Sequence, residues 1–450
     1  MKKLIIDNVE VTFRNSDENV MIEENYQETN PYFRAAWVSY IVNDFEATPE
    51  KEQMQKNLLK VLGYLEMFNM NAIVFHVRTN NNAYYKTQYA PIDEHFGTYE
   101  SFDTFDYLEW FIEECHKRNI EFHAWLNPYR IKSSGYSDDV TVEEIAATYK
   151  DYPLNPASKP ENILITNSKG AILNPALDEV QDYIIDVCLE LMKNYDIDAI
   201  HFDDYFYAQM SPNIDVLQEA DQKDYEAYIN NFKTSYKADN MEDKKNWRRD
   251  NVNRFIYNLS TSIRSFNKAL NKHVQLGISP TGIYSNGDGK VTYDKKGTAI
   301  TNGSNTVGQD HLNSYLFCDS KKWVDNEWID YIIPQSYWGF THPVAGYADV
   351  MGWWNKVVEN KKVNLYSGMG IYMSQSSLNT HSWKTNPYEA SDEVLYCNSL
   401  KNVKGTCIFS FRALVTIIED QTALAYKGLD RIRKEYWTKQ VKTPDTMASK

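Results

Sequence analysis

The stretch YDIDAIHFDDYFYAQ, Tyr195 to Gln209, carries the most pointed chemical signal in the chain. Ala199, Ile200 and Phe202 read as a buried strand that stops on two neighbouring aspartates, Asp203 and Asp204, which aromatics then enclose. Ionised carboxylates at the end of a buried strand are costly unless a partner uses them. A second adjacent pair, Asp138 and Asp139, lies in the polar stretch SSGYSDDVT, where water suffices, so context rather than composition separates the two. One reading of Asp203 and Asp204 is structural, the capping of a following helix. The other is acid–base work: two carboxylates in close quarters cannot both ionise freely, which divides them into an acid and a base near neutral pH. Glycosidases usually set their two carboxylates across the scissile bond, on different strands. Adjacent residues suit another scheme, in which the substrate's own N-acetyl group attacks the anomeric carbon. Asp203 would then orient the acetamido N–H and Asp204 would protonate the leaving oxygen. Side chains alternate along a regular strand, so the scheme requires the strand to end or bulge at Asp203.

The elements that must position this pair repeat along the chain. Short apolar strands are read at Ala35–Ile41, Asn71–Arg78, Glu121–Asn127, Asp198–Asp203, Val274–Pro280, Tyr331–Tyr337, Asn364–Ile371 and Gly405–Phe411. Amphipathic helical segments lie between them, among them EKEQMQKNLLKVLGYLEMFNM, FDYLEWFIEECHKRN, DEVQDYIIDVCLELMKNYD and WRRDNVNRFIYNLSTSIRSFNKAL. Eight such alternations predict an α/β fold, a (β/α)8 TIM barrel with long βα loops. An open doubly wound sheet would want a glycine-rich phosphate turn after the first strand, and RAAWVSYI is followed by none. Residues 1–30 read as a short N-terminal appendage, 31–437 as the barrel and 438–450 as a disordered tail. The inserts Ile131–Lys169 and Ser285–Asn313 follow strands and belong on the rim where barrel enzymes carry their catalytic loops.

Period-two parity places polar groups on one face of four strands. His76 and Arg78 share a face with Val74; His123, Trp125 and Asn127 line up, as do His201 with Asp203 and Gln335 with Tyr337. Structural barrel interiors prefer branched aliphatics at such positions, so the four faces predict a shared pocket at the C-terminal ends of the strands.

Composition narrows the class of partner. The chain has 450 residues and a formal net charge of −15, which disfavours nucleic acid and anionic membranes as partners. Its 33 tyrosines supply flat apolar faces with polar edges, suited to sugar rings and to protein interfaces alike. The five cysteines are scattered without a CxxC, so buried thiols are expected rather than disulfides or a zinc ribbon. No run approaches a membrane span. MKKLIIDNVEV lacks a secretory apolar core, so the expected location is cytoplasmic, or outside by a non-classical or phage-associated route.

Several longer motifs resemble a known family. RAAWVSYIVNDF, FNMNAIVFHVRTNNNAYYKTQYAP, HAWLNPYRI, YDIDAIHFDDYFYA, WRRDNVNRFI, LGISPTGIY and IDYIIPQSYW are similar, in order, to the bacterial glycosyl-hydrolase-like family 10-like proteins, over roughly Tyr32 to Arg412. The resemblance implies a (β/α)8 glycosidase of cell-wall glycan with Asp203 and Asp204 as catalytic residues. It also implies pocket roles for His76, Arg78, His123, Asn127, Arg130, Tyr205, Gln335, Tyr337 and Trp338. The family pattern is broken at Ala35, where Gly is usual, at His76, where Gln is usual, and at Thr79, where Pro is common.

The reading is a glycoside hydrolase of N-acetylhexosamine-containing glycan, with peptidoglycan strands favoured and no cofactor or metal required. Trp125, Tyr205 and Trp338 would offer stacking faces, and Arg78 and Arg130 could read a carboxylate on a muramic-type sugar. Two alternatives stay open. One is a non-catalytic glycan-binding or scaffold barrel. The other is a metal-dependent polysaccharide deacetylase, for which HFDD is suggestive although no histidine pair has the needed spacing. A serine hydrolase is disfavoured by the absence of GxSxG. Asp319 reads as a helix cap.

Overall fold

A computed structural model describes residues 1–133, 140–166, 169–208, 210, 215–314, 316–377 and 381–448; Asp138, Asp139 and Gln209 lie outside the described residues. Eight parallel strands close into one barrel in sequence order: β1 Phe33–Val38, β2 Ala72–Arg78, β3 Glu121–Leu126, β4 Ala199–Phe202, β5 Gln275–Ile278, β6 Tyr331–Ile332, β7 Asn364–Gly370 and β8 Val403–Phe409. A helix follows each: α1 Lys51–Met67, α2 Tyr107–His116, α3 Asp178–Asn194, α4 Met241–Leu270, α5 Ser320–Asp325, α6 Tyr347–Val357, α7 Glu389–Ser399 and α8 Phe411–Glu419. The chain is therefore a (β/α)8 barrel.

Strand alternation sorts the side chains into two cores. Ile73, Phe75 and Val77 of β2 join the large apolar layer between barrel and helices, whereas Ala72 and Val74 join a smaller cluster inside the barrel with Phe33, Trp37 and Tyr366. Large rings enter that interior because neighbouring strands make room. A Cβ on Gly277 of β5 would lie 1.8 Å from the Tyr331 ring, and one on Gly370 would lie 2.7 Å from the Tyr337 Cβ. α3 shows how the outer layer holds β4. Val180, Tyr183, Ile184, Val187, Cys188 and Leu191 recur at helical spacing and are buried, with Asp178 and Glu179 in the first turn and Lys193 in the last. At the start of β4, the Asp198 carboxylate accepts from the Phe122 backbone N–H at 2.6 Å and from His116 Nε2 at 2.9 Å, which sets the register of β4 on β3.

Strand ends differ from the sequence reading for identifiable reasons. β6 stops at Ile332 instead of Tyr337 because Pro334 has no N–H to give the ladder; Gln335 resumes it through isolated bridges to Thr281 and Gly368. β8 stops at Phe409 because the Ser410 side chain accepts from the Ala413 N–H and starts α8, which takes Phe411. Asp319 does cap α5, accepting from the Lys322 N–H. Both inserts fall on the rim: the first carries the antiparallel sheet of Arg130–Lys132, Ala171–Leu173 and Ile163–Ile165, and the second the hairpin of Thr292–Tyr293 with Ala299–Ile300. All five cysteines are buried and free. Among the described residues no helix is long and apolar enough to cross a membrane.

The two ends of the chain pack on the barrel. The first residues form small antiparallel pairs whose Leu4, Ile6, Val11, Val20 and Ile22 belong to the same apolar layer as the helices, and Asp349 of α6 accepts from the Arg14 N–H. The segment read as a disordered tail is instead a strap over residues 438–448, across the N-terminal mouth of the barrel. Its polar composition is misleading because its backbone satisfies barrel groups. Tyr32 N–H donates to Lys442 O, Asn71 Nδ2 to Val441 O, and Asn364 Nδ2 to Asp445 O, while Asp330 accepts from the Ala448 N–H. At about 1 kcal/mol for each buried bond, deleting the chain from Thr438 onward is expected to cost on the order of 3–5 kcal/mol. Chemical denaturation of the truncated and full-length chains would measure it, and equal midpoints would contradict it.

Candidate active site

β4 ends at Phe202, and the Ser279 N–H bonded to Phe202 O is its continuation of the ladder. Beyond that point the alternation rule lapses. Asp203 and Asp204 both turn into one cavity of about 330 Å³ at the C-terminal mouth of the barrel. The turn is held from several sides. Asn127 Nδ2 donates to Asp203 Oδ2 at 2.5 Å, and the Tyr205 N–H reaches Asp203 Oδ1 at 3.3 Å. Gln335 Nε2 donates to Asp204 Oδ1 at 3.1 Å and Thr281 Oγ1 to Asp204 Oδ2 at 3.4 Å, while His311 Nε2 donates to the Asp204 carbonyl. The aromatics that follow divide their labour. Phe206 and Tyr207 are buried, and Tyr205 stays exposed beneath the Arg130 guanidinium, which sits 3.6 Å from its ring centroid.

The cavity brings together His76, Trp125, Asn127, Arg130, Asp203, Asp204, Tyr205, Gln335 and Tyr337, nine of the twelve residues singled out from sequence. Three lie elsewhere. A register shift between His76 and Arg78 pairs Arg78 with Leu126, on the outward face. Arg78 therefore points away from the cavity, donates to the carbonyls of Asn127 and Pro128, and packs against Tyr183 of α3. His123 keeps the inward parity but lies too deep, bonded to Tyr331 and Glu121. Trp338 is half-buried against Gly282 and His342, since the chain has left the barrel wall after Pro334. Trp125 lines the cavity but differs in what it presents: His76 stacks on its ring at 3.8 Å and 4°, so one face is covered. Its indole N–H has no protein partner although it is buried.

Sequence reading missed Trp37, Ser39, Ile41, Val42, Ser279, Tyr372 and Phe409, which complete the lining. Parity could have found most of them. Ala35, Trp37 and Ser39 alternate along RAAWVS, Ser279 follows Gly277 on β5, and Phe409 follows Cys407 on β8. Tyr372 lies in the turn after β7 and carries no periodic signal.

Below the cavity a chain of buried hydrogen bonds runs down the barrel axis. Trp37 Nε1 can only donate, and it donates to His201 Nε2 at 3.3 Å. With Nε2 accepting from Trp37 and from the Ser279 hydroxyl 2.9 Å away, His201 carries its hydrogen on Nδ1 and donates to the Tyr331 oxygen at 3.1 Å. Tyr331 O–H then donates to His123 Nδ1 at 2.7 Å, and His123 Nε2–H to the Glu121 carboxylate at 3.0 Å. Burial holds His201 neutral, well below the usual histidine range. The array seats Trp37 at the cavity floor.

Electrostatics distinguish the two aspartates. Burial first, and then the charge of Asp204, push Asp203 up to about 7, against the opposing pull of Arg130, the Tyr205 N–H and Asn127. Among the described residues no three His, Cys, Asp or Glu side chains are grouped to hold a metal ion.

A barrel with paired carboxylates, aromatic walls and amide donors at its C-terminal mouth defines the class of (β/α)8 glycoside hydrolases. Comparison with known proteins agrees. Residues 32–385 match the family described as glycosyl hydrolase-like 10. The chain is 31% identical over 386 residues to the glycosyl hydrolase YngK of Bacillus subtilis, covering 85% of this chain and 68% of YngK. It is 26% identical over 398 residues to the glycosyl hydrolase DigH of Escherichia coli K12, covering 85% and 84% respectively. The glycoside hydrolase domain of PgaB (BpsB) from Bordetella bronchiseptica shares the fold, with a TM-score of 0.50 at 10% identity over 88% of this chain and 98% of that one. The chain belongs to the glycosyl hydrolase-like 10 family, and it is an enzyme of the glycoside hydrolase class.

The raised proton affinity of Asp203 has a consequence for stability. The folded protein keeps a proton there that the unfolded chain gives up near the ordinary carboxylate value, so the stabilisation is complete below that value and is lost as pH rises through about 7. Asp203→Asn is therefore expected to raise the melting temperature relative to the parent more at about pH 8 than at about pH 5. Melting curves at the two pH values would show it, and an equal shift at both would contradict it.

Proposed function

We propose that the enzyme hydrolyses N-acetylhexosamine-containing glycan, with peptidoglycan strands the favoured substrate, by substrate-assisted retaining catalysis. The observation that carries the reading is the adjacent pair: Asp203 and Asp204 line one cavity, and burial with the neighbouring charge pushes Asp203 up to about 7. Asp203 lies deeper, 4% exposed and gripped by Asn127, which suits a group that orients a substrate arm. Asp204 is less buried and is held by Gln335, which suits proton exchange with a leaving group.

The steps balance on the substrate and these two groups. When the acetamido N–H points at Asp203, the ionised form of Asp203 is favoured and its proton passes to Asp204. The acetamido carbonyl oxygen attacks the anomeric carbon, the glycosidic C–O bond breaks, and the Asp204 proton goes to the leaving oxygen. The cationic oxazolinium that results is stabilised by the Asp203 carboxylate. Water then attacks the anomeric carbon, Asp204 takes its proton, and the acetamido group is restored with retention of configuration. The unmet Trp125 indole N–H is a donor for a sugar oxygen. Arg130 lines the same cavity with its guanidinium over the Tyr205 ring, a position from which it would also meet a substrate anion such as the lactyl carboxylate of a muramic residue.

Digestion of peptide-free peptidoglycan strands and of their N-deacetylated counterpart tests the reading. The expected result is new reducing ends of retained configuration from the acetylated polymer alone. Asp204→Asn is expected to lower kcat by about 10²–10⁴ while glycan binding persists. Equal cleavage of the deacetylated polymer would remove substrate assistance, and full turnover by Asp204→Asn would remove the proposed acid.

A further inference from the structure

A second chain of buried hydrogen bonds, distinct from the axial one, ends on Asp203. Ser39, His76 and Asn127 are all at most 1% exposed. Ser39 Oγ lies 2.8 Å from His76 Nδ1, His76 Nε2 lies 3.0 Å from Asn127 Oδ1, and Asn127 Nδ2 donates to Asp203. The segment is anchored behind by Asp44, whose carboxylate accepts from the backbone N–H groups of Ser39 at 2.8 Å and Arg412 at 2.6 Å.

Donor and acceptor capacities fix the direction of this chain. Asn127 turns its NH₂ toward Asp203 Oδ2, so its carbonyl oxygen faces His76. His76 is neutral, because burial and then the Arg130 charge disfavour its protonation, and it owns a single N–H. That hydrogen sits on Nε2 to meet the Asn127 oxygen, and Nδ1 accepts from the Ser39 hydroxyl. An asparagine without such a neighbour is free to rotate its amide and present oxygen to Asp203. The donor would then become a repulsive acceptor.

We infer that His76 is a positioning residue for the reaction: by fixing the amide orientation of Asn127, it keeps a hydrogen-bond donor on Asp203 and so sets how the proton divides between Asp203 and Asp204. The inference rests on the proposed roles of that pair. Other groups face the pair as well: Tyr205 from its own segment, Arg130 from the loop after β3, His311 and Cys318 from the insert after β5, and Tyr337 after β6. None of these touches the Asn127 amide in the way His76 does, so their contributions are constant between the variants below.

Two substitutions separate the hydrogen bond from the ring stack on Trp125. His76→Phe keeps a ring against Trp125 and loses the donor, whereas His76→Gln keeps an N–H for Asn127 and loses the ring. Removing the donor raises the proton affinity of Asp203, so His76→Phe is expected to move the pH profile of kcat/KM alkaline by about one unit and to lower kcat about tenfold. His76→Gln is expected to keep the parent profile. Equal shifts in both variants, or none in either, would overturn the inference. Because His76→Phe could fail to fold, ¹⁵N NMR of the parent gives a separate reading. It should show His76 neutral and protonated on Nε2 across about pH 5–8, and an Nδ1–H tautomer would overturn the assignment. Loss of the proposed chemistry is distinguishable: it would appear as full turnover in Asp204→Asn, with the tautomer unchanged.

Discussion

The parallel ladder dictates that neighbouring side chains point to opposite sides of the barrel wall, and the candidate site depends on where β4 is released from that rule. Through Phe202 the backbone is bonded on both sides, so Ile200 and Phe202 face the helices and His201 faces inward. Once the ladder stops, two consecutive aspartates can enter the same hollow. Each is then held by a side chain from a different strand, Asn127 for one and Gln335 for the other. An extension of β4 by one residue would send one carboxylate outward into the apolar layer, where burying an ionised group is costly.

Much of this was legible in the sequence because it follows from periodicity. Eight alternations gave the barrel, and parity gave His76, Trp125, Asn127 and Tyr337 their inward direction. Periodicity fails where the ladder does. The bulge after His76 reverses Arg78, and nothing in NAIVFHVRTNN marks it, because the extra residue is decided by the fit of β2 against β3. Depth along the barrel axis is likewise invisible, which is why His123 was grouped with residues two and four positions nearer the mouth. The strap at 438–448 was misread for a third reason. Its composition is that of solvated chain, and its order comes from unpaired backbone groups at strand ends that lie far away in sequence.

Polar and aromatic side chains run through the barrel interior from its mouth to its base. Trp37, His201, Tyr331, His123 and Glu121 form one directed series, and Ser39, His76, Asn127 and Asp203 form another. Fully partnered polar arrays of this kind specify one arrangement of side chains, because any flipped member leaves a buried group unmet. The histidines serve as connectors with one hydrogen and one lone pair, and the desolvation that keeps His76 and His201 uncharged is what preserves that role. Each of the two carboxylates also has a donor in place: Asn127 on Asp203 and Gln335 on Asp204.

The strap also has a bearing on how the molecule is assembled. Tyr32, at the threshold of β1, bonds to Lys442, and Arg34 bonds to the carbonyl of Lys439. The first strand of the barrel is thus completed by residues some four hundred positions downstream. Contacts so distant in sequence are slow to form, since the loop they close must be ordered before it is rewarded. During synthesis β1 would wait, half-paired, until β8 and the strap beyond it have emerged.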